Sequence, residues 1–344
     1  MSQIEERLEP DVTVIVCTRN RAERLAATLN DLAASRLPVS TSWEVLVVDN
    51  NSTDQTPEVV EGFSRSFPGR FRYVLEPRPG KSHALNTGIA NARGAVLAFV
   101  DDDVTIERGW LHNLTAELHG GEWAGAAGRI LPLGTFTLPA WLSWKDWGGA
   151  FRPDPRGVIY GHFDLGDHSI ELDIHQVPYG ANMAIRRRMF EKYGGFRTDL
   201  GPGQGRGTPR SNEDRDIGHR LIKAGERMLY KPGAVVYHPV REDRFDKSYH
   251  LSYWLDFGKS SIVERGDQPD ICGIPRNYFS LLLQLIRASG TWLQGMLTNH
   301  PGEKFFRQCM TQMHVGMVVE LYRRLNHPRG ADLGQLSSKT ANLQ

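Results

Sequence analysis

A chain of 344 residues has room for one large domain with an extension, or for two domains. Its 41 Lys and Arg nearly balance its 40 Asp and Glu, and a formal net charge of +1 offers no electrostatic case for nucleic-acid binding. Cys17, Cys272 and Cys309 stand too far apart for a zinc site, and an odd count argues against a disulfide framework, so a reducing cytoplasm is the expectation.

The first residues, Met1 to Arg7, lack the apolar core of a signal peptide. No uncharged apolar run is long enough to span a bilayer, so the chain is expected to be soluble or to rest on a membrane surface. Val12 to Cys17 is a continuous apolar run, followed by helical spacing from Arg21 to Ala34 with Leu25, Leu29 and Leu32 on one side. Glu44 to Val48 reads as a second strand, Thr56 to Phe67 as a helix, Phe71 to Leu75 as a strand. Ser82 to Ala92 reads as a helix capped by Ser82, and Ala95 to Val100 as a fourth strand. Strands apolar on both faces, separated by helices, predict a mostly parallel α/β sheet covered on both sides.

From Leu131 to Gln176 the chain is rich in Trp, Gly and Pro and predicts irregular structure or a small mixed sheet. Val177 to Ile185 is strand-like and Arg187 to Tyr193 a short helix. The basic cluster Arg186 to Arg188 reads as a solvated helix face, or as a phosphate or membrane contact. The glycine-rich stretch from Gly201 to Pro209 predicts a loop of the kind that closes over sites. Glu213 to Ala224 reads as a helix and Ala234 to Tyr237 as the last strand. These patterns divide the chain into an α/β domain over residues 1–240 and a helical extension over 241–344 that ends in a polar tail from Gly330. In the extension, Phe279 to Leu297 is amphipathic, and Lys304 to Arg324 carries Phe306, Met310, Met313, Met317 and Leu321 on one side. These faces suit a membrane surface, a second subunit or packing on the α/β domain.

In an open parallel sheet, ligands bind beyond the carboxyl ends of the strands. Here those ends read Thr18-Arg19-Asn20-Arg21, Asp49 to Asp54, and Asp101-Asp102-Asp103. In extended chain Asp101 and Asp103 point the same way. Like charges held that close call for a cation between them, and Mg²⁺ or Mn²⁺ serves with substrate phosphates. An acidic turn, or a cap for the helix at Trp110, is the plainer alternative. Asp49 suits contact with base or ribose, or an Asx-turn before the Thr56 helix. Arg78 to Ser82 lacks the glycine spacing of a P-loop, yet Arg78 and Lys81 precede a helix N-terminus, where an anion is favoured. Asn212-Glu213-Asp214 opens a helix, and His238 ends the last strand, where a neutral imidazole can ligate a metal. His162, His168 and His175 have no such context.

Taken in order, the Val12-to-Asn20 strand, Asp49 to Asp54, Gly80 to Gly88, Asp101 to Asp103, the Asn182 segment, Gly194 to Phe196 and Asn212 to Asp214 resemble glycosyltransferase family 2, with its GT-A fold, over about two-thirds of the chain. The resemblance implies an inverting enzyme that passes a sugar from a UDP-, GDP- or dTDP-sugar to a saccharide or lipid-linked acceptor. It implies donor contacts from Thr18, Arg19, Asn20, Asp49, Asn51, Arg78, Lys81, Asn86, Asp101 and Asp102. It implies Mn²⁺ or Mg²⁺ on Asp101, Asp103 and His238, and a general base at Asp214, whose pKa Glu213 would raise. Polysaccharide or glycoconjugate synthesis at the inner face of a membrane would suit such a chain. Residues Thr135 to Asp173 and everything after Arg241 fall outside the resemblance and are expected to shape acceptor choice. The alternatives are a nucleotidyltransferase, for which the first strand end lacks glycine, and a non-catalytic nucleotide-sugar-binding protein.

Overall fold

The fold is that of a computed structural model, which describes residues 10–142, 154–203, 211–265, 270–271, 274–275, 278–297 and 300–326. Residues 204–209 of the expected closing loop, Cys272 and the polar tail from Gly330 lie outside the described residues.

The α/β half follows in chain order: β1 (Val12–Thr18), α1 (Ala22–Ala33), β2 (Trp43–Asp49), α2 (Thr56–Ser66), β3 (Phe71–Leu75), α3 (Lys81–Asn91) and β4 (Val96–Asp101). Then come β5 (Thr105–Ile106), α4 (Trp110–Thr115), β6 (Gly125–Leu133), α5 (Pro155–Tyr160), β7 (Ile170–Glu171), β8 (Asn182–Arg186), α6 (Arg187–Tyr193), α7 (Glu213–Lys223) and β9 (Met228–Pro239). One sheet runs β3-β2-β1-β4-β8-β6-β9-β5, with β7 paired to β9. Strands β1 to β4 are parallel, and β8 enters antiparallel between β4 and β6. The sheet is therefore mixed and mostly parallel. Its central strands bury β-branched and aliphatic side chains on both faces, each worth about 1.5–3 kcal/mol on full burial.

Register decides where the polar strand ends meet. Thr18 of β1 pairs with Asp49 of β2, and Cys17 with Asp101 of β4, so the three ends reach one edge together. On the far side β6 shifts register between Gly128 and Arg129. A Cβ on Gly128 would stand 2.3 Å from the Asn182 amide and from the Ala234 carbonyl, so only glycine lets β6 pass there. Asn182 uses the approach to bond the Arg129 and Ala234 carbonyls, and its own Oδ1 accepts the Trp110 indole N–H at 2.8 Å.

Three sequence expectations are corrected. Ser82 does not cap α3, which starts one residue earlier; its hydroxyl is buried and donates to the Leu200 carbonyl at 2.7 Å. Arg186 is not on a solvated face: it is 7% exposed and donates to the Leu118 carbonyl, because β8 carries it inside the sheet. The Met-rich side of the last helix is not open to a membrane or partner. That helix, α10 (Pro301–Asn326), packs along α8 (Lys247–Arg265), with α9 (Tyr278–Gly295) between them in sequence, and it buries Met313, Met317 and Leu321. A Cβ on Gly258 would lie 2.0 Å from the Met313 carbonyl oxygen, and one on Gly316 2.0 Å from that of Leu255. The two backbones therefore touch at a small-residue crossing. Trp141, from the insert, stacks edge-on against Phe305 of α10 at 4.7 Å and fastens the extension to the α/β half.

Candidate active site at the sheet edge

The carboxyl edge is built from Asn-rich turns. Asn20, Asn51 and Asn212 are the non-glycine residues with positive φ among the described residues, and each stands where chain leaves or enters an element at this edge. Asn tolerates that conformation better than other side chains. The Asn20 Oδ1 accepts the Thr53 N–H at 2.7 Å, and its own N–H donates to Ser52 Oγ, which ties the first two loops together. Asn50, not singled out in the sequence, clasps the third loop: its Oδ1 accepts the Gly80 N–H, and its Nδ2 donates to the Glu76 and Arg78 carbonyls.

On this frame Asp101, Asp103 and His238 converge, with one ligand atom from each lying within 4.8 Å of the others. The His238 Nε2 is 3.9 Å from Asp101 Oδ2 and 3.7 Å from Asp103 Oδ1. Two carboxylate oxygens and one imidazole nitrogen form an open set that fits a divalent cation, and the nitrogen suits Mn²⁺ better than Mg²⁺. Asp102 is not part of this set. It is 4% exposed, and Arg21 Nη1 donates to it at 2.8 Å. Burial pushes its carboxyl above the ordinary range against the pull of Arg21. For Asp101 burial also pushes up, but Lys81 and His238 outweigh it and hold the carboxyl below that range.

Lys81 links this cluster to α7. Its Nζ lies 2.8 Å from Asp101 Oδ1 and 3.7 Å from Glu213 Oε1. Glu213 is buried, and burial with the neighbouring Asp214 charge pushes its carboxyl up, against Lys81. Asp214 is held by backbone: Oδ2 accepts the Gly180 N–H at 2.8 Å, and Oδ1 the Arg215 N–H at 2.7 Å.

The acidic cluster borders a cavity of about 860 Å³, and neither Glu213 nor Asp214 is among its lining residues. Thr18, Arg19, Lys81, Asp101, Asp102, Asp103 and His238 line it. Asp49, Asn51, Arg78 and Asn86 are not among its lining residues. Asp49 is 1% exposed, and its oxygens accept from the Ser52 N–H and the Tyr73 hydroxyl. Both ends of the Asn86 amide bond the Phe196 backbone at 2.8 Å, so this side chain holds the turn after α6. Arg78 is exposed and grips Glu76. Further lining comes from residues 241–256, including Arg241, Arg244, Tyr249, Ser252, Tyr253 and Asp256. No sequence signal marked it. One side of α8 packs on α10 and another lines the cavity, so α8 shows no single apolar stripe.

Glu76 gives a pH test of the loop that presents Lys81. It is 2% exposed, and its carboxyl accepts hydrogen bonds from Arg78 and Thr87. The Arg78 hydrogen bonds, opposed by burial and aided by Thr87, lower its pKa to about 2. A depressed folded-state pKa adds stability above the unfolded carboxyl's pKa, and that stability fades as pH falls towards about 2. The melting temperature of the wild type is expected to drop more steeply between pH 5 and 2.5 than that of Glu76→Gln. Parallel curves would show that the carboxylate contributes nothing there.

Residues 13–194 match the model of Glycosyl transferase family 2. The chain is 30% identical over 237 residues to the succinoglycan biosynthesis protein ExoM of Rhizobium meliloti, covering 68% of each. It is 36% identical over 232 residues to the glycosyltransferase AglE of Haloferax volcanii, covering 67% of this chain and 68% of that one. Among solved structures it is similar in fold to the mannosyltransferase PcManGT from Pyrobaculum calidifontis, in complex with GDP-Man and Mn²⁺. The TM-score is 0.59 at 19% identity, over 92% of this chain and 89% of the other.

Proposed function

The chain belongs to glycosyl transferase family 2 and is a glycosyltransferase with a GT-A fold, and from that premise we propose that it moves a sugar, with inversion, from a nucleoside-diphosphate sugar to a hydroxyl of a saccharide or lipid-linked acceptor in polysaccharide or glycoconjugate synthesis. The observation that carries this reading is the meeting of Asp101, Asp103 and His238 at the strand ends, with Lys81 joining them to the helix that bears Asp214. Asp101, Asp103 and His238 would hold Mn²⁺ or Mg²⁺, which when bound neutralises charge on the departing diphosphate. The GDP-Man and Mn²⁺ of the Pyrobaculum mannosyltransferase are consistent with that assignment.

Thr18, Arg19 and Lys81 line the donor side. Asp214 takes the proton of the acceptor hydroxyl as that oxygen bonds the anomeric carbon. The bond from that carbon to the diphosphate oxygen breaks on the opposite face, which inverts the centre and releases nucleoside diphosphate. Glu213 keeps Lys81 in place between the two groups. The Tyr249–Ser252–Tyr253 side of α8 forms the acceptor wall, offering rings for sugar faces and hydroxyls for sugar oxygens. A thermal-shift panel of UDP-, GDP- and dTDP-sugars with Mn²⁺ tests the donor side, since a ligand at 100 times its Kd adds about 2.7 kcal/mol to the native state. No shift with any of them would reject the reading.

The acceptor's setting draws on α9. No described helix is long and apolar enough to cross a membrane. Yet α9 exposes Phe279 (61%), Ile286 (59%), Leu293 (59%) and, just beyond its end, Leu297 (88%), and it carries one Arg and no acidic residue. Such a stripe suits the headgroup boundary of an anionic bilayer. The protein is expected to float with phosphatidylglycerol liposomes, and Ile286→Glu with Leu293→Glu to remain at the bottom of the gradient. A wild type that stays with the pellet fraction as a stable dimer by light scattering would assign the stripe to a second copy instead.

A further inference from the structure

The cations that line the cavity can be taken one at a time. Lys81 is paired with Asp101 at 2.8 Å, Arg21 with Asp102 at 2.8 Å, and Arg241 with Asp243 at 2.7 Å. Arg19 is exposed to water. Arg244 is different. It is half-buried, and among the described residues no carboxylate lies within ion-pair distance of it. Its Nη1 donates to the Val158 carbonyl and to the Tyr249 hydroxyl, and its guanidinium lies 4.4 Å from the centre of the Tyr249 ring. Its Nε is buried with no acceptor.

A guanidinium taken out of water without a countercharge or a full set of acceptors is costly to the fold. Burial accordingly depresses its proton affinity, with Arg241 adding to the effect, and the more distant carboxylates of Asp243 and Asp103 only partly offset it. The group persists on the wall of a cavity that already contains the acidic cluster. Guanidinium forks match phosphate oxygens in pairs, and stacking on an aromatic ring holds them flat for it. We propose that Arg244 is the counter-ion of a phosphate group bound in this cavity, which Lys81 also lines. The inference rests on the glycosyltransferase reading. The phosphate belongs either to the donor's diphosphate or to a lipid-phosphate acceptor lying along Tyr249 and Tyr253.

Calorimetry on the whole chain separates the two sources. One arm titrates UDP, GDP and dTDP, each with Mn²⁺; the other titrates farnesyl phosphate, with farnesol as the uncharged control. Arg244→Gln is expected to weaken at least one phosphate ligand tenfold or more and to leave farnesol unchanged. Loss in the nucleotide arm assigns the donor, loss in the farnesyl phosphate arm the acceptor, and loss in both a phosphate seat that each occupies in turn. Arg244→Lys keeps the charge without the fork and should fall between wild type and Gln. Tyr249→Phe frees the Nη1 hydrogen and should hold or tighten binding; this variant stands as the test should Arg244→Gln not fold. Phosphate affinities unmoved by Gln and Lys, or a loss in Tyr249→Phe, would overturn the proposal. A wild type that binds no nucleoside diphosphate with Mn²⁺ while binding farnesyl phosphate through Arg244 would reject the donor reading and leave the Arg244 assignment standing.

Discussion

Changing Asp214 to Asn is expected to lower sugar transfer by roughly 10² to 10⁴-fold, the usual contribution of a positioned general base. The substitution keeps the shape of the side chain, and one amide oxygen can still accept the Gly180 N–H that fixes the group. What it removes is the ability to take the acceptor's proton. Nucleoside-diphosphate affinity should change little, since the Asp214 carboxylate is held by the Gly180 and Arg215 N–H groups and, among the described residues, forms no ion pair with Lys81 or His238. Glu213→Gln is expected to cost less. Glu213 is buried beside Lys81, so its loss disturbs the placement of that amine without removing the base. Near-normal turnover by Asp214→Asn together with a collapse in Glu213→Gln would reverse the two roles, and normal turnover by both would place the base elsewhere.

Asp103→Ala is expected to abolish the Mn²⁺ dependence of nucleoside-diphosphate binding, with an affinity loss of at least about 100-fold in the presence of metal, because even indirect partners of a metal ligand cost 10- to 100-fold. Asp103 also pairs with Arg21 at 3.2 Å and Arg24 at 3.5 Å, so the substitution frees Arg24 and leaves Arg21 on Asp102 alone. Residual binding that no longer responds to metal is therefore the expected signature. The sheet contributes nothing to Asp103, which lies beyond the end of β4, and the melting temperature should stay close to wild type. Calorimetric titration of UDP, GDP and dTDP with and without Mn²⁺ reads this directly. Unchanged metal-dependent affinity would remove Asp103 from the site.

The edge of the sheet was legible because parallel strands write themselves plainly. Val12 to Cys17 and Ala95 to Val100 are apolar on both faces, and the polar residues that follow them must emerge together once the strands pair in register. The convergence of Asp101 with Asp103, joined by His238 at the end of β9, agrees with that placement. Elsewhere the sequence was silent for physical reasons. Asn86 and Asp49 carry the residue types of ligand contacts, but their hydrogen-bond partners, Phe196 and Tyr73, lie 110 and 24 residues away in the chain. Arg186 sits in a basic triplet, and only the antiparallel entry of β8 shows that it is buried. The wall at Arg244, Tyr249 and Tyr253 had no periodic signal, since α8 meets α10 through the small residue Gly258 and the cavity through polar ones. For α10 the Met-rich side was visible, but not that α8 covers it.

The proposed activity is metal-dependent sugar transfer from a nucleoside-diphosphate sugar at the Asp101–Asp103–His238 edge. Its most direct test is the release of nucleoside diphosphate by the whole chain from UDP-, GDP- and dTDP-sugars, followed with Mn²⁺ and again after chelation by EDTA. Release from at least one of these donors is expected to stop with EDTA, return with added Mn²⁺ and be lost in Asp103→Ala. Release that ignores EDTA and survives Asp103→Ala, or no release from any donor whatever acceptor is supplied, would contradict it.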